Sequence, residues 1–184
     1  MTRDEAMALL QQHVKNANMI KHCLAAEAVM ATLAERLGEN KETWALAGLL
    51  HDLDVEVTKA DPKVHGQESV RLLQERGIDP SVVDAIKMHN EESAGLKRSA
   101  KFHYALAAGE TITGLIVASA LVLPDKKLAG VKPESVVRRM KEKAFARSVN
   151  RDRIRECEKI GVPLDEFARL AVKAMQGVSD NIGL

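Results

Sequence analysis

Apolar residues in this chain recur at the spacing of an α-helix, between residues that typically begin and end helices. Over about residues 18–37, Ala26, Val29 and Leu33 share one helical face, and Gly38 ends the run. Only 3% of all residues are aromatic although 46% are hydrophobic, so aliphatic side chains must fill the core. Because strands favour aromatic and β-branched residues, this composition favours packed helices. We therefore predict an all-α fold.

Start and stop signals elsewhere predict the remaining helices. Thr2 and Glu5 form a capping-box pattern, and Asp79 followed by Pro80 is a typical helix start. The predicted helices cover about residues 2–13, 18–37, 41–51, 66–77, 80–89, 100–123, a helix beginning near 133, 150–160 and 164–177.

His51 and Asp52 stand side by side at the end of the apolar run 44–50. Burying an uncompensated carboxylate is costly, and a bound metal is one of the few partners that makes it tolerable. Neutral imidazole and carboxylate are both common ligands of divalent transition metals. We therefore predict a metal site centred on these two residues.

Other histidines and one glutamate fall on predicted core-facing positions. His22, His89 and Glu110 each lie on the apolar stripe of a different helix. The alternative for His22 is a core histidine bonded to a backbone carbonyl. The alternatives for Glu110 are a chance polar residue at the edge of the stripe and a partner for a buried arginine. Helical proteins build core metal sites from inward-pointing residues on separate helices. The candidate ligands are His22, His51, Asp52, His65, His89 and Glu110.

This order of residues resembles the HD-domain metal-dependent phosphohydrolase superfamily, and its HDIG-type branch in particular. The resemblance covers about residues 18–122. Its most specific part is His22, which stands 29 residues before His51 and Asp52, followed by His65-Gly66. It implies an HD-domain helical bundle with one or two divalent metal ions, drawn from Mn, Fe, Mg, Zn, Ni and Co.

The resemblance also implies a role for each candidate ligand. It assigns His22, His51 and Asp52 to one metal, His65 and His89 to a second, and Glu110 to the last acidic position. The superfamily usually has aspartate at that last position, and glutamate reaches one methylene further. The block of residues typical of the cyclic-di-GMP phosphodiesterases is missing, so the resemblance does not imply a substrate.

The reaction implied is hydrolysis of a phosphate ester by metal-activated water. The substrate would be a small phosphomonoester, phosphodiester or nucleotide. Asp52 is suited to bridging two metals, and Asp54 and Glu56 are candidate catalytic proton-transfer groups, with solvated loop carboxylates as the alternative. Two other classes stay open, namely a di-iron oxygenase of the HD fold and a non-catalytic nucleotide or nucleic-acid binding module.

Residues 126–155 form a strongly basic segment. Eleven basic and three acidic residues give it a net charge of +8. Arg138, Arg139 and Lys143 are candidates for binding substrate phosphate, with a solvated helix face as the alternative. Phe145 is the one aromatic residue of the segment, which argues against stacking on nucleic-acid bases.

The chain divides at Pro124 into an HD domain, 1–124, and a basic helical extension, 125–184, that we expect to pack on it. The whole chain has 27 basic and 26 acidic residues, so its charge favours neither nucleic acid nor a membrane surface as partner. Cys23 and Cys157 lie far apart and predict reduced thiols. A charged N-terminus and the lack of any run of about 18 apolar residues lead us to expect a cytoplasmic protein. The sequence does not indicate an oligomeric state.

Overall fold

Eleven α-helices and no β-strand make up the computed structural model, which describes residues 1–184. The all-α prediction is therefore confirmed. In chain order the helices are α1 (Arg3–His13), α2 (Ala17–Leu37), α3 (Lys41–Leu50), α4 (Gln67–Glu75), α5 (Pro80–His89), α6 (Glu91–Ala94), α7 (Lys101–Leu121), α8 (Pro133–Arg139), α9 (Arg151–Ile154), α10 (Leu164–Gln176) and α11 (Ser179–Ile182). Two 3₁₀ helices, Leu128–Gly130 and Arg155–Ile160, lie in the C-terminal part.

Local capping chemistry sets most helix boundaries. Thr2 and Glu5 form a reciprocal capping box at the start of α1. Gly38 ends α2 in the left-handed conformation, with φ +68°, which glycine adopts at little steric cost. Asp79 caps α5, and Pro80 occupies its first turn. The predicted helix boundaries at these positions agree with the structure.

The helix predicted over about 150–160 differs from the structure in detail. There the chain forms α9 and then turns into the 3₁₀ helix Arg155–Ile160. The short helices α6 and α11 have four residues each and were not predicted. A helix of one turn is too short to show apolar periodicity, so periodicity does not distinguish it from a loop.

Helices α2 and α3 approach each other closely at Gly48. A Cβ at this position would lie 2.6 Å from the carbonyl oxygen of Ala26 in α2. No side chain fits in that space, so glycine allows the two backbones to touch. The contact brings the C-terminal end of α3, which carries His51, against the side of α2, which carries His22.

Helix α7 lies at the centre of the molecule. It contacts α2, α3, α5, α8 and α10. By length and apolar composition it could cross a membrane, but 67% of its most apolar window is buried inside the protein. Its apolar composition therefore fits its position as the central core helix.

The C-terminal helices share one core with the N-terminal ones. Helix α10 packs on α2 and α8, and the 3₁₀ helix Arg155–Ile160 packs on α7. Phe167 of α10 and Ile154 of α9 are completely buried in the same cluster of 42 residues as Leu33 and Ile112. The segment after Pro124 therefore packs directly on the helices before it.

Candidate metal centre

Four histidines and one aspartate meet between α2, α3, α5 and the connection from α3 to α4. They form two groups whose ligand atoms lie within 4.8 Å of one another. His22, His51 and Asp52 form the first group, and Asp52, His65 and His89 form the second. Asp52 belongs to both, so we name them the first and the second ligand set.

The first ligand set converges on one oxygen of Asp52. Its Oδ2 lies 3.4 Å from Nε2 of His51 and 3.6 Å from Nε2 of His22. The two imidazole nitrogens are themselves 3.1 Å apart. The side chain of His22 is 23% exposed and that of His51 only 1%, so the set is open to solvent on the side of α2.

The second ligand set converges on the other oxygen. Oδ1 of Asp52 lies 3.1 Å from Nε2 of His65 and 3.8 Å from Nε2 of His89. These two nitrogens are 3.0 Å apart. The carboxylate of Asp52 thus presents one oxygen to each pair of histidines, which is the arrangement of a ligand that bridges two cations.

Hydrogen bonds at the opposite ring nitrogens fix how the imidazoles face the centre. His51 directly follows α3 and His89 is the last residue of α5. Each donates from Nδ1 to the carbonyl three residues earlier, over 2.8 Å to Gly48 and 2.5 Å to Ile86. Nδ1 of His22 is 3.0 Å from the hydroxyl of Thr113, whose own proton is donated to the carbonyl of Glu110. With Nδ1 as donor, each Nε2 presents a lone pair to the centre.

Asp54 orients His65. Its Oδ1 lies 2.8 Å from Nδ1 of His65, and neither of these buried atoms has another partner. Its Oδ2 accepts hydrogen bonds from the backbone N–H groups of Gly66, Glu68 and Ser69 at the start of α4. The sequence suggested Asp54 as a proton-transfer group, but the structure places it completely buried behind His65.

The His65-Gly66 pair has a steric reason. Gly66 has φ +97°, and a Cβ there would lie 3.3 Å from Cε1 of the His89 ring. The carbonyl of His65 accepts hydrogen bonds from Asn90, at 2.9 Å, and from Ser93, at 2.7 Å. These two residues hold the loop that carries His65 and were not identified from the sequence, although Asn90 directly follows a candidate ligand.

The contacts between the histidines test whether the residues fit a metal. Each pair of Nε2 atoms at 3.0–3.1 Å needs a positive charge between or beside the two nitrogens, either a shared proton or a metal ion, because two lone pairs at that distance repel. The sites hold imidazole and carboxylate donors, which suit Zn, Mn, Fe, Co and Ni. The donor set therefore fits divalent metal ions, and His22, His51, Asp52, His65 and His89 are the residues that could hold them.

Burial and neighbouring charges shift the pKa values of three of the candidate ligands. Burial lowers the pKa of His65, but hydrogen bonds to Asp52 and Asp54 outweigh it and raise that pKa to about 10. Burial would raise the pKa of Asp52, yet His51 and His65 hold it well below its usual range. Burial and the neighbouring charges of His51 and His65 lower the pKa of His89 to about 3. A proton on His65 therefore competes with a metal ion for the second ligand set.

Glu110 borders the first ligand set without entering its compact group. Its Oε2 lies 4.0 Å from Nε2 of His22, and its Oε1 lies 3.5 Å from the Arg153 guanidinium and accepts a hydrogen bond from Thr111. Its contact with Arg153 agrees with the alternative of an arginine partner, and its role as a metal ligand stays a prediction.

The remaining candidate residues lie elsewhere. Oε1 of Glu56 accepts hydrogen bonds from the backbone N–H groups of Lys15 and Asn16, which commits it to the connection between α1 and α2. Arg138 is 70% exposed and lies 3.9 Å from Glu142.

The other two basic candidates also make no contact with the ligand sets. Arg139 stacks on the ring of Phe145 at 3.9 Å, and Lys143 is exposed. The structure therefore does not bring Arg138, Arg139 or Lys143 to the metal centre. Arg153 is the basic residue that reaches it, and only the folded position of α9 identifies it.

An all-α fold whose core holds two histidine pairs joined by one aspartate defines a class of helical proteins with a candidate dinuclear metal centre. The family model of the HD domain matches residues 19–120, more than half of the chain. The chain belongs to the HD domain family, as the order of its histidines and aspartate predicts. No solved structure matches it. The HD domain is that of the metal-dependent phosphohydrolase superfamily, whereas the HDIG-type assignment stays a prediction.

Proposed function

We propose that the protein is a metal-dependent phosphohydrolase that acts on a small phosphate ester or nucleotide. The observation that carries this proposal is the sharing of Asp52 between two pairs of imidazole Nε2 atoms, one pair at each carboxylate oxygen. Membership of the HD domain family supports it as well.

Each ligand set would hold one of two divalent ions. His22, His51 and Asp52 would hold the first, with Glu110 on its solvent side, and Asp52, His65 and His89 would hold the second. Divalent metal in such a site lowers the pKa of bound water and neutralises charge on phosphoryl oxygens.

The chain's own residues prepare the site for an anionic substrate. Asp54, Gly48 and Ile86 supply acceptors to the far nitrogens of the imidazoles, so the rings need no reorientation when substrate binds. Substrate would approach past His22, since this is the most exposed ligand of the two sets. The alcohol that leaves and the phosphate product would return to solvent on the same side.

The proposal is tested by measuring the hydrolysis of a panel of phosphate esters by protein loaded with Mn²⁺. Inorganic phosphate is measured for phosphomonoesters and nucleotides, and the released alcohol is measured for phosphodiesters. Asp52→Asn should reduce kcat/KM by more than about 100-fold, because even partners outside the ligand shell contribute about 10–100-fold. Asp84→Asn is the matched control, since Asp84 pairs with His103 at 2.7 Å in a second His–Asp pair outside both ligand sets.

Three results would contradict the proposal. If metal-loaded protein hydrolyses no member of the panel, the non-catalytic binding module is the remaining alternative. Activity that persists in Asp52→Asn would place the reaction elsewhere. Redox-active iron together with oxygen consumption would instead support the di-iron oxygenase alternative.

A further inference from the structure

A small cavity of about 210 Å³ opens beside the first ligand set. His22 and Glu110 line it on one side, and Asn150 and Arg153 line it on the other. Its walls therefore combine an exposed edge of the candidate metal centre with a guanidinium group. Arg153 and Asn150 lie beyond residue 120, where the match to the HD domain ends.

The guanidinium of Arg153 has donors to spare. Its side chain is 32% exposed, and its one ionic contact is Nη1 to Oε1 of Glu110 at 3.5 Å. Arg151, two residues earlier, instead donates to the backbone carbonyls of Phe145, Ala146 and Val149. Arg151 thus folds the loop before α9, whereas Arg153 remains free to bind an anion from solvent.

Local structure points Arg153 into this cavity. The side chain of Asn150 accepts a hydrogen bond from the backbone N–H of Arg153 at 3.0 Å and so caps α9. The pairing with Glu110 then holds the guanidinium at the mouth of the first ligand set. A planar guanidinium matches the geometry of phosphoryl oxygens and can bind two of them at once.

A second, larger cavity of about 630 Å³ adjoins the first. His22, Thr113 and Gly114 line it, and His22 and Gly114 also line the smaller one. The rest of its wall is mainly apolar and includes Met19, Val117 and Leu121. An ester whose phosphate lies beside Arg153 would therefore place its organic group against an apolar wall.

We propose that Arg153 binds the phosphate group of the substrate, and that the adjoining apolar cavity binds the substrate's organic group. This inference rests on the proposed phosphohydrolase function and narrows its substrate class to phosphate esters with an apolar or aromatic group. Because the smaller cavity is formed partly by residues after Pro124, the C-terminal segment completes the substrate site.

The test measures the binding of two probes to the full chain loaded with Mn²⁺, by calorimetry. The probes are inorganic phosphate, which has no organic group, and phenylphosphonate, which has an aromatic group and is not hydrolysed. Arg153→Met removes the guanidinium, and Leu121→Glu places a charge in the apolar wall at a side chain that is 50% exposed. Arg155→Met and Leu96→Glu are the matched controls, since neither residue lines the two cavities.

The wild type should bind phenylphosphonate more tightly than phosphate. Arg153→Met should weaken the binding of both probes about tenfold or more, through the loss of charge-assisted hydrogen bonds. Leu121→Glu should weaken only the binding of phenylphosphonate. Metal content, measured on every variant, and Arg153→Lys, which keeps the charge, separate the loss of phosphate contacts from a failure to fold.

Equal phosphate affinity in Arg153→Met and the wild type would overturn the inference and leave the proposed function standing. A loss of metal in Arg153→Met would also overturn the inference, since Arg153 would then act on the metal ligands. So would an affinity of the wild type for phenylphosphonate that is no higher than its affinity for phosphate. A metal-loaded wild type that binds neither probe would overturn both the inference and the proposed function.

Discussion

Asp54 is a buried carboxylate that contacts the candidate metal centre only through His65. One oxygen faces His65, and the other accepts three backbone N–H groups at the start of α4. We predict that Asp54→Asn lowers the affinity for metal in the second ligand set by about 10–100-fold, because the anionic partner that orients His65 is lost.

The same substitution should lower the free energy of unfolding by about 2 kcal/mol, since a buried charge-assisted acceptor is replaced by a neutral group. Metal titration and denaturant unfolding measure the two effects. Asp61→Asn, at an exposed carboxylate that caps the same loop, is the control and should change stability by less than about 0.5 kcal/mol. Unchanged metal affinity in Asp54→Asn would contradict the role assigned to Asp54.

The raised pKa of His65 makes metal binding depend on pH. With this pKa at about 10 in the metal-free protein, His65 is protonated at pH 7 and must lose a proton to coordinate metal. The apparent affinity for the second ion should therefore rise about tenfold per pH unit from pH 7 to 9. Calorimetry in two buffers of different ionisation enthalpy measures the proton released, and a constant affinity across this range would contradict the prediction.

At the scale of the helices, the contact between α2 and α3 is the most constrained. At Gly48 a Cβ would lie within 3 Å of the backbone atoms of Ala26 and Glu27. Gly48→Ala should destabilise the protein by about 3 kcal/mol, because both neighbours are backbone and cannot rotate away. It should also weaken metal binding, since it separates His51 from His22.

Gly109→Ala is the matched control for Gly48→Ala. A Cβ at Gly109 would lie 2.8 Å from the sulfur of Met30, which is the flexible end of a side chain. Its cost should be smaller and partly offset by the higher helix propensity of alanine, about 1 kcal/mol. Thermal unfolding of the two variants gives the comparison. An equal loss of stability in Gly48→Ala and Gly109→Ala would contradict the claim that the contact between α2 and α3 is the most constrained.

The longer helices could be predicted because they carry their own signals. Capping residues and apolar periodicity mark α1, α2 and α5, and each signal is complete within a few residues of chain. The helices α6 and α11 have four residues each and are too short for apolar periodicity, so sequence reasoning missed them, although Asn90 caps α6 and Gly95 ends it.

At the scale of the whole molecule, Arg98 connects the C-terminal segment to the metal centre. Its side chain is 5% exposed, pairs with Glu156 at 2.8 Å and donates to the backbone carbonyls of Met88 and His89. Glu156→Gln should cost about 2–4 kcal/mol, because it leaves a buried guanidinium with less compensating charge. Glu158→Gln, at an exposed neighbour, should be nearly neutral. Denaturant unfolding measures both, and equal stability would contradict the role of the pair.

The residues of the candidate metal centre could be predicted from the sequence, whereas the position of Arg153 beside it could not. His22, His51 and His89 lie on helical stripes whose inward direction follows from local spacing. Which arginine of the basic segment faces the centre depends on how α9 packs against α7, and no local pattern carries that information. The sequence analysis therefore named Arg138, Arg139 and Lys143, whereas the structure brings Arg153 to Glu110.

The measurement that tests the central claim most directly is the metal content of the full chain after reconstitution, by elemental analysis. Two ligand sets that share Asp52 predict two equivalents in the wild type, loss of both in Asp52→Asn, and retention of both in the control Asp84→Asn. A wild type that holds no metal, or an Asp52→Asn variant that holds as much as the wild type, would contradict the assignment of these residues as a shared metal centre.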